Sequence, residues 1–213
     1  MILQEISQNV QRGKAPLVKE LVQTALDQTI DPQTILDEAL LGAMEIVGEK
    51  FKNNQVFVPE VLVAARALNA GLEILKPHLI DNASARKGTI VLGTVKGDLH
   101  DIGKNLVKIM MEGKGINVID IGIDVPAEKF IDAAKEHNAS LICCSALLTT
   151  TMGQLEVVVE ERKKVTDLPD NVKVMIGGAP VTQEYCDRIS ADFYAPDAAS
   201  AAEVAMNYLN SIR

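Results

Sequence analysis

The chain has 213 residues, 47% of them hydrophobic and 23% charged, with 21 basic against 29 acidic side chains and a formal net charge of −8. This is the composition of a globular protein with enough apolar material for a sizeable core. The negative balance argues against nucleic acid as a partner, and 3% aromatic residues without tryptophan leave no base-stacking platform.

The first 80 residues read as helices only. A short helix is expected over Leu3 to Gln11, and a second over Ala15 to Gln28 with Leu17, Val18, Leu21, Val22, Ala25 and Leu26 at helical spacing. Asp31-Pro32 combines an N-cap with the favoured first-turn proline. The helix it opens carries Ile35, Leu36, Ala39, Leu40, Ala43, Met44 and Val47 on one face. Pro59 opens a fourth, running to about Pro77. Four helices joined by short turns predict a small up-and-down bundle over residues 1–80.

Asp81 to Lys87 is polar, lacks an apolar period and reads as a linker. From residue 88 to 213 the pattern alternates. Strands are expected at Thr89–Val95, Gly115–Ile121, Ser140–Ser145, Val172–Gly177 and Asp192–Ala195. Helices are expected at Gly103–Glu112, Ala127–His137, Met152–Val165, Thr182–Ile189 and Asp197–Ser211. Five alternating pairs predict an α/β domain with a parallel, doubly wound, Rossmann-like sheet. Its expected strand order is the flavodoxin-like 2-1-3-4-5. Cys143, Cys144 and Cys186 have no CxxC spacing and are expected to be buried, reduced thiols. No signal peptide is expected, and no run of about 18 apolar residues suggests a membrane span. A cytoplasmic location follows as the expectation.

Asp98-Leu99-His100-Asp101-Ile102-Gly103 opens where the first strand stops. A loop histidine with a carboxylate two residues before it has the makings of a metal ligand and its orienting partner. In the 2-1-3-4-5 order this loop converges at the switch point with Ser145-Ala146-Leu147-Leu148-Thr149-Thr150-Thr151, after strand three. Strand four ends in Gly177-Gly178, where absent side chains let something bulky approach the backbone. One threonine of Thr149–Thr151 is expected to cap a helix. His78 and His137 fall near helix C-termini, where they help cap carbonyls. No second histidine is spaced for zinc, and neither a Walker loop nor GxGxxG occurs. A lone histidine ligand makes sense if a macrocycle fills most coordination positions.

Together these residues resemble the cobalamin-binding corrinoid proteins, whose signature is Asp-x-His-x-x-Gly, then Ser-x-Leu, then Gly-Gly. Here it reads Asp98, His100, Gly103; Ser145, Leu147; Gly177, Gly178, with residues 104–144 and 148–176 between. The helical half is similar to the cap domain preceding the cobalamin domain in methionine synthase, through Val47-Gly48-Glu49-Lys50-Phe51 and Phe57-Val58-Pro59-Glu60-Val61-Leu62. The nearest likeness is to the free-standing corrinoid proteins of three-component methyltransferase systems serving methylamines, methanol, betaines or aromatic methyl ethers.

The resemblance implies cobalamin or a related corrinoid, cycling among cob(I)alamin, cob(II)alamin and methylcobalamin, with its benzimidazole arm buried beside the sheet. His100 would be the lower cobalt ligand, Asp98 the acceptor for its other ring proton, and Ser145 the next group of that relay. Asp101 and Gly103 belong to the same cofactor-binding loop. Ser145, Leu147 and Thr149 would line the arm's slot, Gly177 and Gly178 would admit it, and Asp197-Ala198 would close it. Phe57, Val61 and Leu62 would cap the upper face, with Asp81–Lys87 as hinge. The chain would carry a methyl group from a substrate-specific methyltransferase to an acceptor methyltransferase using tetrahydrofolate or a thiol. It would need a reductive activator and would not act alone. Alternatives are a cobalamin-binding sensor, which would normally add a helix-turn-helix domain, and the cobalamin subunit of a mutase, which does not require the bundle. A plain receiver domain would need a lysine after the fifth strand, which is missing.

Overall fold

The computed structural model describes residues 2–78 and 87–212, in two compact units. The helical unit contains α1 (Ile2–Gln11), α2 (Ala15–Asp27), α3 (Pro32–Thr34), a π-helical segment (Ile35–Leu41), α4 (Gly42–Lys52), α5 (Val58–Leu75) and a 3₁₀ turn (Lys76–His78). Asp31 caps α3 as expected, its Oδ2 accepting from Thr34 N at 2.9 Å. The helix after it is not uniformly α-helical. Gly42 N donates to Asp37 O, five residues back. This widened turn lets Ile35, Leu36, Ala39, Leu40 and Leu41 all be buried. Helix α5 starts one residue before Pro59, with Glu60 accepting from Phe57 N at 3.1 Å in the manner of a capping box. Gly71 brings α5 close to its neighbours: a Cβ there would lie 2.9 Å from Leu40 Cδ2 and 3.1 Å from Val18 Cγ1. The expected linker Asp81–Lys87 lies outside the described residues except for Lys87.

The second unit holds β1 (Thr89–Thr94), α6 (Ile102–Glu112), β2 (Asn117–Asp120), α7 (Ala127–Glu136), β3 (Leu141–Ser145), α8 (Gly153–Lys164), β4 (Lys173–Gly177), α9 (Gln183–Ile189), β5 (Phe193–Ala195) and α10 (Ala198–Ser211). All strands are parallel, in the order β2-β1-β3-β4-β5. The switch point therefore falls between β1 and β3, as the alternation of elements predicts. Strand β2 starts at Asn117 rather than Gly115. The intervening residues close helix α6 instead, Ile116 N donating to Met111 O and Gly115 taking a φ of +80°.

Alternate strand residues face opposite sides. Val91, Ile142, Cys144, Val174 and Ile176 form one core with Phe130 of α7, Leu155 and Val158 of α8 and Cys186 of α9. Gly93 makes that packing possible, since a Cβ there would stand 2.8 Å from the Phe130 ring. The three cysteines are free and buried, as expected, and burial raises the pKa of each. No helix among the described residues is long and apolar enough to cross a membrane.

Helix α6 is tied to the end of β2 by an ion pair. The Lys104 side chain is 3% exposed, and its Nζ lies 2.6 and 2.7 Å from the two Asp120 oxygens and 3.0 Å from Asn105 Oδ1. Burial would raise the Asp120 pKa, but the Lys104 and Gly122 hydrogen bonds and the charges of Lys104 and Lys108 outweigh it and lower it. A carboxyl with a depressed folded pKa stabilises fully above its ordinary range and loses that contribution as pH falls through its folded value. Lys104→Met is expected to cost about 3 kcal/mol at pH 7, because among the described residues Asp120 keeps only Lys108 as a cationic partner. Urea titrations should show the difference from the unmodified protein shrinking as the pH is taken well below 4.

Candidate functional site

The strand register lines up Thr94, Ser145, Gly177 and Ala195 in one row across the C-terminal edge of the sheet. The loops leaving that row carry the motif residues. Asp98 is 0% exposed although it is a carboxylate on a loop. Its Oδ1 accepts from His100 Nδ1 at 2.7 Å and from His100 N at 3.1 Å. Its Oδ2 accepts from Leu147 N at 2.7 Å, Leu148 N at 3.2 Å and Thr151 Oγ1 at 2.8 Å. Burial pushes the Asp98 pKa up, but the bonds from the His100 ring, Leu147 N, His100 N and Thr151 more than offset it. The carboxyl is held well below the usual carboxylate range, and Asp98 is ionised.

An ionised carboxylate can only accept, so the proton between the two residues sits on His100 Nδ1. With that proton on Nδ1, Nε2 is the ring nitrogen whose lone pair a metal would take. The His100 side chain is half exposed. Leu99 (67% exposed) on the same loop, Ile102 (76%) at the start of α6, and Leu147 and Leu148 on the loop after β3 are large apolar residues open to solvent. No group of three or more histidine, cysteine, aspartate or glutamate side chains among the described residues could hold a metal ion. One imidazole in an apolar rim suits a metal whose other positions are filled by a flat, largely apolar ligand.

Two expectations about this network are corrected. Ser145 does not extend the Asp98 relay, because its Oγ bonds Thr94 Oγ1 at 3.1 Å. Thr151 occupies the place expected for it. No threonine caps α8 either: its N-cap is Met152, without a side-chain bond, and the Thr151 hydroxyl is turned onto Asp98. The clue was visible in the hydroxyl run Thr149–Thr151, but only the loop's path selects Thr151, 7% exposed, over the exposed Thr149.

Asp124 belongs to the same loop cluster, though the sequence motif does not include it. Its Oδ1 accepts from Gly97 N at 2.6 Å, its own N donates to Asp98 O at 3.0 Å, and its φ is +54°. Aspartate tolerates that left-handed conformation better than most residues. The Ile123-Asp124-Val125-Pro126 sequence, an aspartate just before the next helix, is the signal that could have found it.

The remaining predicted residues are placed as follows. Asp101 is exposed and accepts from Asn105 Nδ2 at 3.1 Å. Gly103 is exposed in the first turn of α6, and a Cβ there would meet nothing within 4 Å. At Gly178, with φ +130°, a Cβ would lie 1.9 Å from Ala146 O, so the chain itself demands glycine. At Gly177 a Cβ would stand 3.2 Å from Ala195 O. Ala198 is buried at the start of α10, and Asp197 caps that helix by accepting from Ser200 N at 2.8 Å. In the helical unit Val61 is fully buried in the core, whereas Phe57 is 63% and Leu62 47% exposed.

Thr151→Val removes a donor from a buried anion and is expected to cost roughly 2 kcal/mol at neutral pH by urea denaturation. Gly178→Ala is expected to abolish the folded state, read by circular dichroism, since the clash is with backbone that cannot move aside.

The chain is similar to known proteins along nearly its whole length. Residues 88–204 match the B12 binding domain family, and residues 2–76 match a second B12 binding domain family. Dimethylamine corrinoid protein 1 of Methanosarcina acetivorans is 44% identical over 98% of this chain and 97% of its own length. Trimethylamine corrinoid protein 1 of the same organism is 42% identical over 85% of each. Among solved structures, the methanol:cobalamin methyltransferase complex MtaBC of Methanosarcina barkeri has a chain with a TM-score of 0.86 and 30% identity, covering 98% of this chain and 80% of its own. This chain therefore belongs to the B12-binding corrinoid proteins of methyltransferase systems, and its cofactor is cobalamin or a related corrinoid.

Proposed function

We propose that this chain is the methyl carrier of a methyltransferase system, with His100 as the lower cobalt ligand. The observation that carries the assignment is the Asp98–His100 pair, which fixes the ring tautomer and leaves one ring nitrogen open beside an apolar rim. Gly103 supports it from a different direction. Neither a neighbour within 4 Å nor a positive φ requires glycine there, so the open space above it suits a bulky ligand that a side chain would obstruct.

When bound, the corrinoid supplies a cobalt centre that takes up and gives off a methyl group. The protein's residues orient and protect it. Asp98 holds the His100 ring, and Thr151 and the Leu147 and Leu148 amides hold Asp98. Leu99, Ile102, Leu147 and Leu148 would shield the bound cofactor from water. Ser145, Leu147 and Thr149, with Gly177, Gly178 and Ala198, are the residues assigned to hold the cofactor's arm. Phe57 and Leu62 are the exposed apolar residues assigned to the upper cap. Val61 supports them from within the core. Asp101 completes the cofactor-binding loop.

The methyl donor is assigned to a substrate-specific methyltransferase acting on a small methylated compound. The 42–44% identity to trimethylamine and dimethylamine corrinoid proteins favours methylated amines over methanol. The acceptor is a second methyltransferase delivering to tetrahydrofolate or a thiol, and a reductive activator restores the low-valent cofactor.

Reconstitution with cobalamin, followed by cob(II)alamin EPR on protein carrying nitrogen-15 histidine, tests the ligand assignment. A protein-nitrogen splitting is expected and should vanish in His100→Ala, while some corrinoid is retained; an unchanged signal in that variant would sink the assignment. Gly103→Ala should leave thermal stability unchanged or raised by up to about 1 kcal/mol, since alanine favours a helix, yet weaken cobalamin uptake several-fold. Methylation of the loaded protein by methyltransferases for trimethylamine, dimethylamine and methanol, offered in parallel, tests the donor.

A further inference from the structure

We propose that Thr94 is a positioning residue for the metal-ligating imidazole. Its hydroxyl holds the His100 carbonyl at the end of β1 and thereby sets how far the ring stands from the sheet. The inference rests on the reading of His100 as the cobalt ligand.

Thr94 is the last residue of β1 and 1% exposed. Its Oγ1 donates to His100 O at 2.9 Å. One hydroxyl carries one proton, so in the 3.1 Å contact between Thr94 and Ser145 the donor must be Ser145 Oγ. The chain of bonds runs from Ser145 to Thr94 to the His100 carbonyl. The Thr94 main chain is equally committed, its N donating to Gly122 O and its O accepting from Val125 N, both at 3.0 Å. The anchor for the carbonyl is therefore itself immobilised by the loop after β2.

His100 is gripped at both ends of its backbone. Asp98 Oδ1 accepts from its N at 3.1 Å, and Thr94 donates to its O. Neither bond belongs to regular secondary structure, since His100 precedes the first turn of α6. A ligand atom at the tip of a side chain inherits every error of the backbone that carries it, so a reproducible metal distance needs such support. This also gives Ser145 a role: it orients the Thr94 hydroxyl. A threonine suits the site because its methyl group fills buried space while its hydroxyl bonds.

Thr94→Val keeps the shape and deletes only the bond; Thr94→Ser keeps the bond. In the corrinoid-free protein, amide hydrogen exchange over Leu99 to Ile102 is expected to quicken roughly tenfold in Thr94→Val. The β3 amides should stay protected, and Thr94→Ser should restore the slow exchange. With cob(II)alamin bound, Thr94→Val should alter the histidine-nitrogen splitting or enlarge the fraction lacking it, and Thr94→Ser should return the native signal. Unchanged exchange, or faster exchange with an unchanged cobalt signal, overturns the proposal. Should Thr94→Val not fold, Ser145→Ala is expected to give a smaller change in the same direction, and none there overturns it equally. Loss of protein nitrogen in the unmodified protein would instead refute the His100 ligand assignment, which the exchange measurement does not depend on.

Discussion

A single buried carboxylate organises the sheet unit's functional edge. Removing a charge from water costs several kcal/mol unless it is paired and hydrogen-bonded. Asp98 meets that condition with five donors, two from His100 and three from the segment Leu147 to Thr151. The loop after β1 and the loop after β3 are thereby coupled into one body. The same bonds that make the burial tolerable keep the carboxyl ionised. Ionisation in turn decides which histidine nitrogen carries the proton. Fold, electrostatics and ligand chemistry meet in one side chain.

The glycines around that edge divide by the reason for their presence. Gly178 is demanded by the chain, because the Ala146 carbonyl occupies the space its Cβ would need. It shapes the turn after β4 whether or not anything binds. Gly103 is demanded by nothing in the chain. Glycine in the first turn of a helix is a cost in helix propensity, and a cost without an internal reason points outward, to a ligand. The exposed Leu99 on the loop after β1 and Ile102 at the start of α6 carry a similar message, since with Leu147 and Leu148 they make four large apolar side chains open to solvent on the segments that bear the motif.

Much of the fold was legible from the pattern alone. Alternating apolar runs and helical periods predicted the five strands and their 2-1-3-4-5 order, because parallel crossovers have one hand and few topologies. The ends of β2 and α5 differed by one or two residues, where a glycine turn and a capping glutamate act locally. The π-helical segment was not legible. Its widened bonding follows from how many of Ile35 to Leu41 must be buried at once, which a 3.6-residue period does not express.

At the site, the sequence by itself determined the Asp98-to-Gly103 motif, the pairing of Asp98 with His100, and the glycines after β4. These are local or rest on topology, so residue type and spacing suffice. Only the tertiary structure decided which hydroxyl serves which partner. Ser145, the last residue of β3, and Thr151, on the loop that follows, are six positions apart, and both are chemically able to bond Asp98. Strand register sets Ser145 beside Thr94, while the turn after Leu148 carries Thr151 back over the carboxylate. Direction of approach, not residue type, separates the two, and direction exists only once the strands are paired.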